Sequence, residues 1–295
     1  MTRTAGDALG AAIRVHAETI LRGHDDVRTA AARAPGAPDD APDAVHDARV
    51  AVRRLRATLR VFRDGTAPEP GTVGALTWWV RTLGAARDAE VRRTGLAELA
   101  AGLERPSPEV LAGLATLDGA LVAADAAARA EVTAALASAR CRDLTARLDA
   151  LVTAPPLTDR SGEAAATTLR PAVVRELGRV GRHAGPVAAW RGPGTGDRPP
   201  PDVVHRLRKA VRRARYAAEV LATSGDRATD RWADDVVARH RELQDLLGTV
   251  NDADVLRATL AALREPRTAA AVDACERLGD DRAAQALAAA AAAVR

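Results

Sequence analysis

The sequence predicts an all-α protein of two tandem four-helix units produced by an internal duplication, and three observations carry that prediction. Hydrophobic residues make up 47% of the 295 residues but aromatics only 2%, so the core must be built from Ala, Leu and Val, which suit closely packed helices. Proline and glycine punctuate the chain at 35–42, 65–71, 106–108, 155–156, 185–201, 223–225 and 266, with helical periodicity between them. The third observation is a repeat that divides the chain into residues 1–156 and 157–295, either half being long enough for a bundle of its own.

Taken in order, the periodic stretches predict helices over 7–33, 44–63, 72–104, 107–151, 161–184, 203–222, 228–264 and 267–293, the longest of them a candidate for a break. The Gly- and Pro-rich segment 185–201 reads as a mobile loop. The Ala-rich run 283–294 includes Gln285 and is too short for a bilayer, so a terminal helix is expected there. No stretch is read as reaching the roughly 18 to 20 apolar residues of a membrane span, and no leader segment is recognised. Cys141 and Cys275 are the two cysteines and have no metal-ligand spacing. A reducing, cytoplasmic setting is expected, with no metal site, no cofactor and no membrane partner.

The repeat is read residue by residue. Pro42-Asp43-Ala44-Val45-His46-Asp47-Ala48-Arg49-Val50-Ala51-Val52-Arg53-Arg54-Leu55-Arg56 aligns, at a constant shift of 159, with Pro201-Asp202-Val203-Val204-His205-Arg206-Leu207-Arg208-Lys209-Ala210-Val211-Arg212-Arg213-Ala214-Arg215. Downstream, Leu83-Gly84-Ala85-Ala86-Arg87-Asp88-Ala89-Glu90-Val91 aligns at a shift of 164 with Leu247-Gly248-Thr249-Val250-Asn251-Asp252-Ala253-Asp254-Val255. Gapless blocks on both sides of a five-residue insertion (164 − 159) argue against coincidence.

Net charge is only +4, so position has to carry the functional argument. His46, Arg49, Arg53, Arg56 and Arg60 recur at spacings of 3, 4, 3 and 4, which places them along one helix face. Val52, Leu55, Leu59 and Phe62 lie roughly 140° round the same helix and should enter the core. His205, Arg208, Arg212 and Arg215 repeat the stripe, with Glu219 in place of the last arginine and Lys209 as a possible substitute charge. Like charges at these spacings repel. Such a face must therefore be solvated, neutralised by acids on neighbouring helices, or matched to an anion, and its preservation in both copies favours the anion. From His46 to Arg60 the stripe runs roughly 21 Å, which suits a polymeric anion better than a mononucleotide.

Asp43 and Asp202 stand three residues before the histidines in N-cap-like positions. The histidines would then sit in the first helical turn beside free amides, a setting that favours an anion. Neighbouring cations should disfavour the imidazolium and a bound phosphate should favour it, so binding should strengthen modestly as pH falls through the histidine range. In the Leu-Gly-x-x-x-Asp-x-acid-Val element, Gly84 and Gly248 would let helices approach closely and Asp88 and Asp252 would hold stripe arginines, while Arg87 is a candidate member of the site. His16, His24, His183 and His240 are read as surface or satisfied groups.

The motif pair Val45-His46-x-x-Arg49-Val50-x-x-Arg53-Arg54-x-Arg56 and Val204-His205-x-x-Arg208-Lys209-x-x-Arg212-Arg213-x-Arg215 resembles the two signatures of the CHAD family, the conserved-histidine α-helical domain. The resemblance covers essentially the whole chain. It implies two bundles related by a pseudo-twofold axis around a basic surface or pore, binding of inorganic polyphosphate and association with polyphosphate granules. The residues it implies are His46, Arg49, Arg53, Arg56, His205, Arg208, Arg212 and Arg215, with Arg54, Arg60, Lys209 and Arg213 as weaker members. Many relatives are joined to a triphosphate tunnel domain whose Glu-x-Glu-x-Lys signature does not occur in this sequence.

Two other functions compete. Nucleic-acid binding would use the same arginines on a phosphate backbone; against it, few aromatics are available for stacking and the stripes contain no Asn or Gln for base reading. A polyphosphate-processing enzyme would need a metal-binding carboxylate cluster or a phosphoryl-accepting histidine, and no phosphate loop or nucleophile elbow is recognised. The expectation is a non-enzymatic binder.

Overall fold

In the computed structural model, residues 3–31, 44–192 and 197–295 are described, and they form nine α-helices and one short 3-10 turn. The helices are α1 (Ala5–Ala31), α2 (Ala44–Val61), α3 (Thr72–Ala101), α4 (Pro108–Ala137), α5 (Ala139–Thr153), α6 (Ala165–Ala189), α7 (Pro201–Leu221), α8 (Arg227–Ala262) and α9 (Ala269–Ala293). No strand occurs among the described residues, only two isolated bridges.

Local chemistry sets these boundaries. Thr4 and Asp7 cap α1 reciprocally, the Asp7 amide donating to Thr4 Oγ1 at 3.1 Å and the Thr4 amide to Asp7 Oδ2 at 3.0 Å. The stretch expected as one helix over 107–151 breaks at Ser138, whose extended backbone and side chain accepting from the Cys141 amide start a new helix, α5. In 185–201 the expected loop is shorter than anticipated: α6 runs on through Gly185 to Ala189, where Val187 and Trp190 are buried and tie the helix end to the core. Tertiary burial there overrides glycine's poor helix propensity.

Helix α4 overturns one expectation. It is long and apolar enough to cross a membrane by length and composition, with an 18-residue window of mean hydropathy 1.5 of which 22% is buried. A search for an unbroken apolar run passes over it because Asp118 and Asp125 interrupt the alanines. Asp125 is fully buried with the Arg93 guanidinium 3.5 Å away, an environment of protein rather than lipid.

By contact the chain falls into two compact units, one of Met1–Arg87, Ala128–Val180 and Ala210–Arg241, the other of Asp88–Ala127, Gly181–Lys209 and Glu242–Arg295. Each unit draws on both halves of the sequence repeat. In the first, Leu9, Phe62, Leu169, Val173, Leu221 and Val236 pack around the small Ala217 and Ala218. In the second, Leu96, Leu117, Leu121, Leu256, Leu260 and Cys275 form the core.

Core burial fixes how α2 and α7 are rotated. Val52, Leu55, Leu59 and Phe62 are all buried, as the periodicity predicts, and so on α7 are Val204, Leu207, Val211 and Ala214. Each stripe arginine follows a buried residue by one position, or about 100°. The arginines therefore border the core instead of standing opposite it, and Arg215 is buried outright. Glu219 supports this placement: its carboxylate accepts two hydrogen bonds from Arg54 on α2, at 3.0 and 3.3 Å, and one from Arg215 at 2.7 Å. Both guanidiniums also lie over the Tyr216 ring.

Two stability predictions follow from this packing. Replacing Glu219 with alanine leaves two guanidiniums, one buried, without that carboxylate, and is expected to cost roughly 3 kcal/mol in chemical denaturation; a loss below about 0.5 kcal/mol would mark the pair as an ordinary surface bridge. Burial, with Arg54 nearby, holds the His16 imidazole down at about 4. The unfolded chain binds a proton there near 6.5 and the folded chain does not, so stability should decline as pH falls from about 6.5 toward 4, by up to roughly 3 kcal/mol from this group. Denaturation midpoints of His16→Gln should show a shallower decline across the upper part of that window.

Candidate anion-binding site

On the first unit, α2 presents His46 and Arg60 exposed and Arg49, Arg53 and Arg56 half-buried. Arg49 crosses α3 at Gly84, where an added Cβ would lie 3.7 Å from the Arg49 guanidinium. Gly84 thus makes room for an arginine of the stripe, not for a helix backbone as expected. At Gly248 nothing lies within 4 Å of an added Cβ, so the close approach anticipated there is not found.

Arg56 is the centre of the positive charge. Its Nη1 is 3.4 Å from Thr77 Oγ1 on α3. Burial depresses its guanidinium below the usual arginine range, and the charges of Arg60, Arg81 and Arg213 add to that effect. Arg213 belongs to α7, so the two motif helices meet within the first unit at Arg56 and Arg213. Arg81, exposed on α3, escaped the sequence analysis because it lies outside both the striped helices and the aligned block 83–91. Its position one turn before Gly84, on the Arg87 helix, was the available signal.

Among the expected binding arginines, Arg54, Arg213 and Arg215 have carboxylate partners within the first unit. Arg54 and Arg215 share Glu219, and Arg213 donates to Glu176, which also pairs with Arg179 at 3.0 Å. Glu176 is buried, so these arginines are held in place as well as charged. Arg212, half-buried on the same helix, completes the α7 portion of this unit.

On the second unit, α7 carries His205 and Lys209 exposed and Arg208 half-buried. His205 Nδ1 lies 3.2 Å from Asn251 Oδ1 on α8, and Asn251 Nδ2 donates to Asp252 Oδ1 at 3.1 Å. Asp252 thus reaches the stripe helix through an amide, not through a stripe arginine as expected. Asp254, two residues on, accepts two hydrogen bonds from Arg198 at 2.8 and 3.0 Å and pins the segment leading into α7.

Asp202 is not the cap of α7. The helix begins at Pro201, a residue suited to the first helical position, and Asp202 lies inside the first turn, paired with Arg206. The amides of Val203 and Val204 donate to the Pro200 carbonyl, so they do not offer the free N–H groups anticipated beside His205. Asp43, the corresponding residue ahead of His46, lies outside the described residues. Of the remaining histidines, His24 and His240 are pushed down by burial, as is His16. Among the described residues no group of three or more His, Cys, Asp or Glu is placed to hold a metal ion.

The chain is similar to a Mycobacterium tuberculosis protein described only as uncharacterized protein MT2285 and to its counterpart Rv2226, each 31% identical over 223 residues, or 74% of this chain and 40% of the relative. The chain therefore spans about two-fifths of the length of these curated relatives. Among solved structures, the CHAD domain from the plant Ricinus communis superposes with a TM-score of 0.72 at 25% identity, covering 99% of this chain and 92% of that one. PptA from Streptomyces chartreusis shares the fold, with a TM-score of 0.71 at 23% identity, covering 99% and 98%. The family model of the CHAD domain matches residues 21–261; the chain belongs to the CHAD family.

Proposed function

We propose that this chain binds inorganic polyphosphate without turning it over. In this reading His46, Arg49, Arg53, Arg56 and Arg60 on α2, with Arg81 on α3 and Arg212 on α7, contact the ligand on the first unit. His205, Arg208 and Lys209 contact it on the second. Arg54, Arg213 and Arg215 act chiefly through Glu219 and Glu176, which hold the helices that carry the contact residues. The observation that carries the reading is the guanidinium cluster around half-buried Arg56. Arg60, Arg81 and Arg213 raise its electrostatic cost instead of relieving it, and a polyanion threading the cluster would relieve all four at once.

Chemistry supports phosphate in particular. Guanidinium presents paired donors that match phosphate oxygens two at a time, and a charge at nearly every phosphate suits a row of arginines one helical turn apart. The same reading places the protein at cytoplasmic polyphosphate deposits.

The test is a competition titration of labelled long-chain polyphosphate against duplex DNA, RNA and ATP at two salt concentrations, with released orthophosphate followed in parallel. Polyphosphate should win, its affinity should fall steeply with salt, and no orthophosphate should appear. Substituting alanine at Arg49, Arg53, Arg208 and Arg212 together should weaken binding by at least about 100-fold, given roughly 1 kcal/mol or more per charged hydrogen bond. Arg81→Ala alone should weaken it by about fivefold to tenfold on the same basis. Tighter binding to nucleic acid, or affinity unchanged by these substitutions, overturns the reading in favour of a nucleic-acid binder or another surface; release of orthophosphate overturns its non-enzymatic part.

A further inference from the structure

Three side-chain contacts join four helices of the first unit in series. Arg56 on α2 meets Thr77 on α3 at 3.4 Å, Arg54 on α2 meets Glu219 on α7 at 3.0 Å, and Arg213 on α7 meets Glu176 on α6. The positive charge already described follows this series as far as α7, through Arg81 on α3, Arg56 on α2 and Arg213 on α7. It does not stop there. On α6, Arg179 shares the Glu176 carboxylate with Arg213: Arg179 Nη1 stands 3.0 Å from Oε1, while Arg213 Nε donates to Oε2.

The charges of this group do not cancel. Glu176 carries one negative charge and its side chain is 6% exposed, whereas Arg213 and Arg179 carry two positive charges and are 36% and 46% exposed. A net charge of +1 remains (2 − 1), with the acid inside and the cations outside. A guanidinium has five N–H donors, so each arginine can hold Glu176 and still meet a second acceptor. Arg175, one turn earlier on α6, is different: it turns to Asp64 at 3.6 Å, both side chains more than half exposed, and forms an ordinary neutral surface pair. The charges that bear on Arg56 are those of Arg60, Arg81 and Arg213, so Arg179 stands one step further out, reached from Arg56 through Arg213.

We propose that Arg179 is a further phosphate contact that sets a preference for chain length: a bound polyphosphate passes from the Arg56 centre over Arg213 on α7 to Arg179 on α6. The inference rests on the polyphosphate-binding reading. A triphosphate occupies the centre alone and leaves Arg179 unused. A longer chain spans the interval and gains one more guanidinium, whose paired donors match phosphate oxygens. Length selection then comes from the spacing of α2, α7 and α6, because packed helix axes stand about 8 to 10 Å apart and a short ligand at Arg56 does not reach the third of them.

Affinities of the full chain for sodium triphosphate and for long-chain polyphosphate, each measured over a series of salt concentrations, test this. Arg179→Gln removes the charge but keeps an N–H for Glu176, and Arg179→Lys keeps the charge. Arg179→Gln should weaken long-chain binding by about threefold to tenfold, the effect of one hydrogen-bonded contact. It should also lower the slope of log affinity against log salt by about 0.7 to 1, with triphosphate binding unchanged. Arg179→Lys should retain the slope and most of the long-chain affinity. A merely structural residue would not give this pattern, since a weakened support for Glu176 affects both ligands alike and leaves the number of phosphate contacts as it was. Equal losses for the two chain lengths, an unchanged slope, or long-chain affinity indifferent to Arg179→Gln overturns the inference and leaves the polyphosphate reading standing; where triphosphate binds too weakly to measure, the slope decides. Failure of the wild type to bind either ligand overturns the inference together with the proposed function.

Discussion

Guanidiniums three and four residues apart on a helix repel one another, and in this chain the carboxylates of Glu219 and Glu176 tie Arg54, Arg213 and Arg215 into the fold. Glu219 draws Arg54 and Arg215 together across α2 and α7, and Glu176 takes Arg213 and Arg179. These acids are buried or half-buried, so each is strongly placed and would be costly to leave unmatched. The remaining arginines of the stripe then stand on helices whose rotation is already fixed.

The helices tolerate this arrangement because the core asks little of them. Alanine, leucine and valine fill both units, and small residues such as Ala214, Ala217 and Ala218 let the stripe border the buried face. That closeness has two consequences. It lowers the solvation of Arg56, which makes a ligand anion more valuable there, and it brings the long arginine stems over apolar surface, where they pack while their heads remain polar. Gly84 serves the same end by leaving a path for Arg49 across α3. The neutral, half-buried His16 lies near Arg54 and adds no charge of its own.

Much of this was legible in the sequence. The core face of α2 followed from Val52, Leu55, Leu59 and Phe62, and the basic face from the histidine and arginine spacing, because helical periodicity is a local property. Long-range pairing was not legible. Glu219 reads in the alignment as a lost positive charge, whereas in the fold it is the tie between two helices; the difference depends on Arg54, 165 residues away. Arg81 was hidden because it stands just outside the aligned block 83–91 and off the striped helix. The start of α7 was misplaced by two residues, 203 against Pro201, because Pro201 fits the first helical position as well as Asp202 fits a cap. Such small ambiguities at a helix end decide whether an amide is free or bonded.

The central claim is that the basic cluster around Arg56, with Arg60, Arg81 and Arg213 beside it, is a polyphosphate site. A crystal structure of the chain grown with polyphosphate tests it most directly. The account predicts consecutive phosphates within hydrogen-bonding distance of Arg56, Arg60 and Arg81, with the Arg54–Glu219 pair intact beneath them. Phosphate density on another face, with the Arg56 cluster unoccupied, would contradict it.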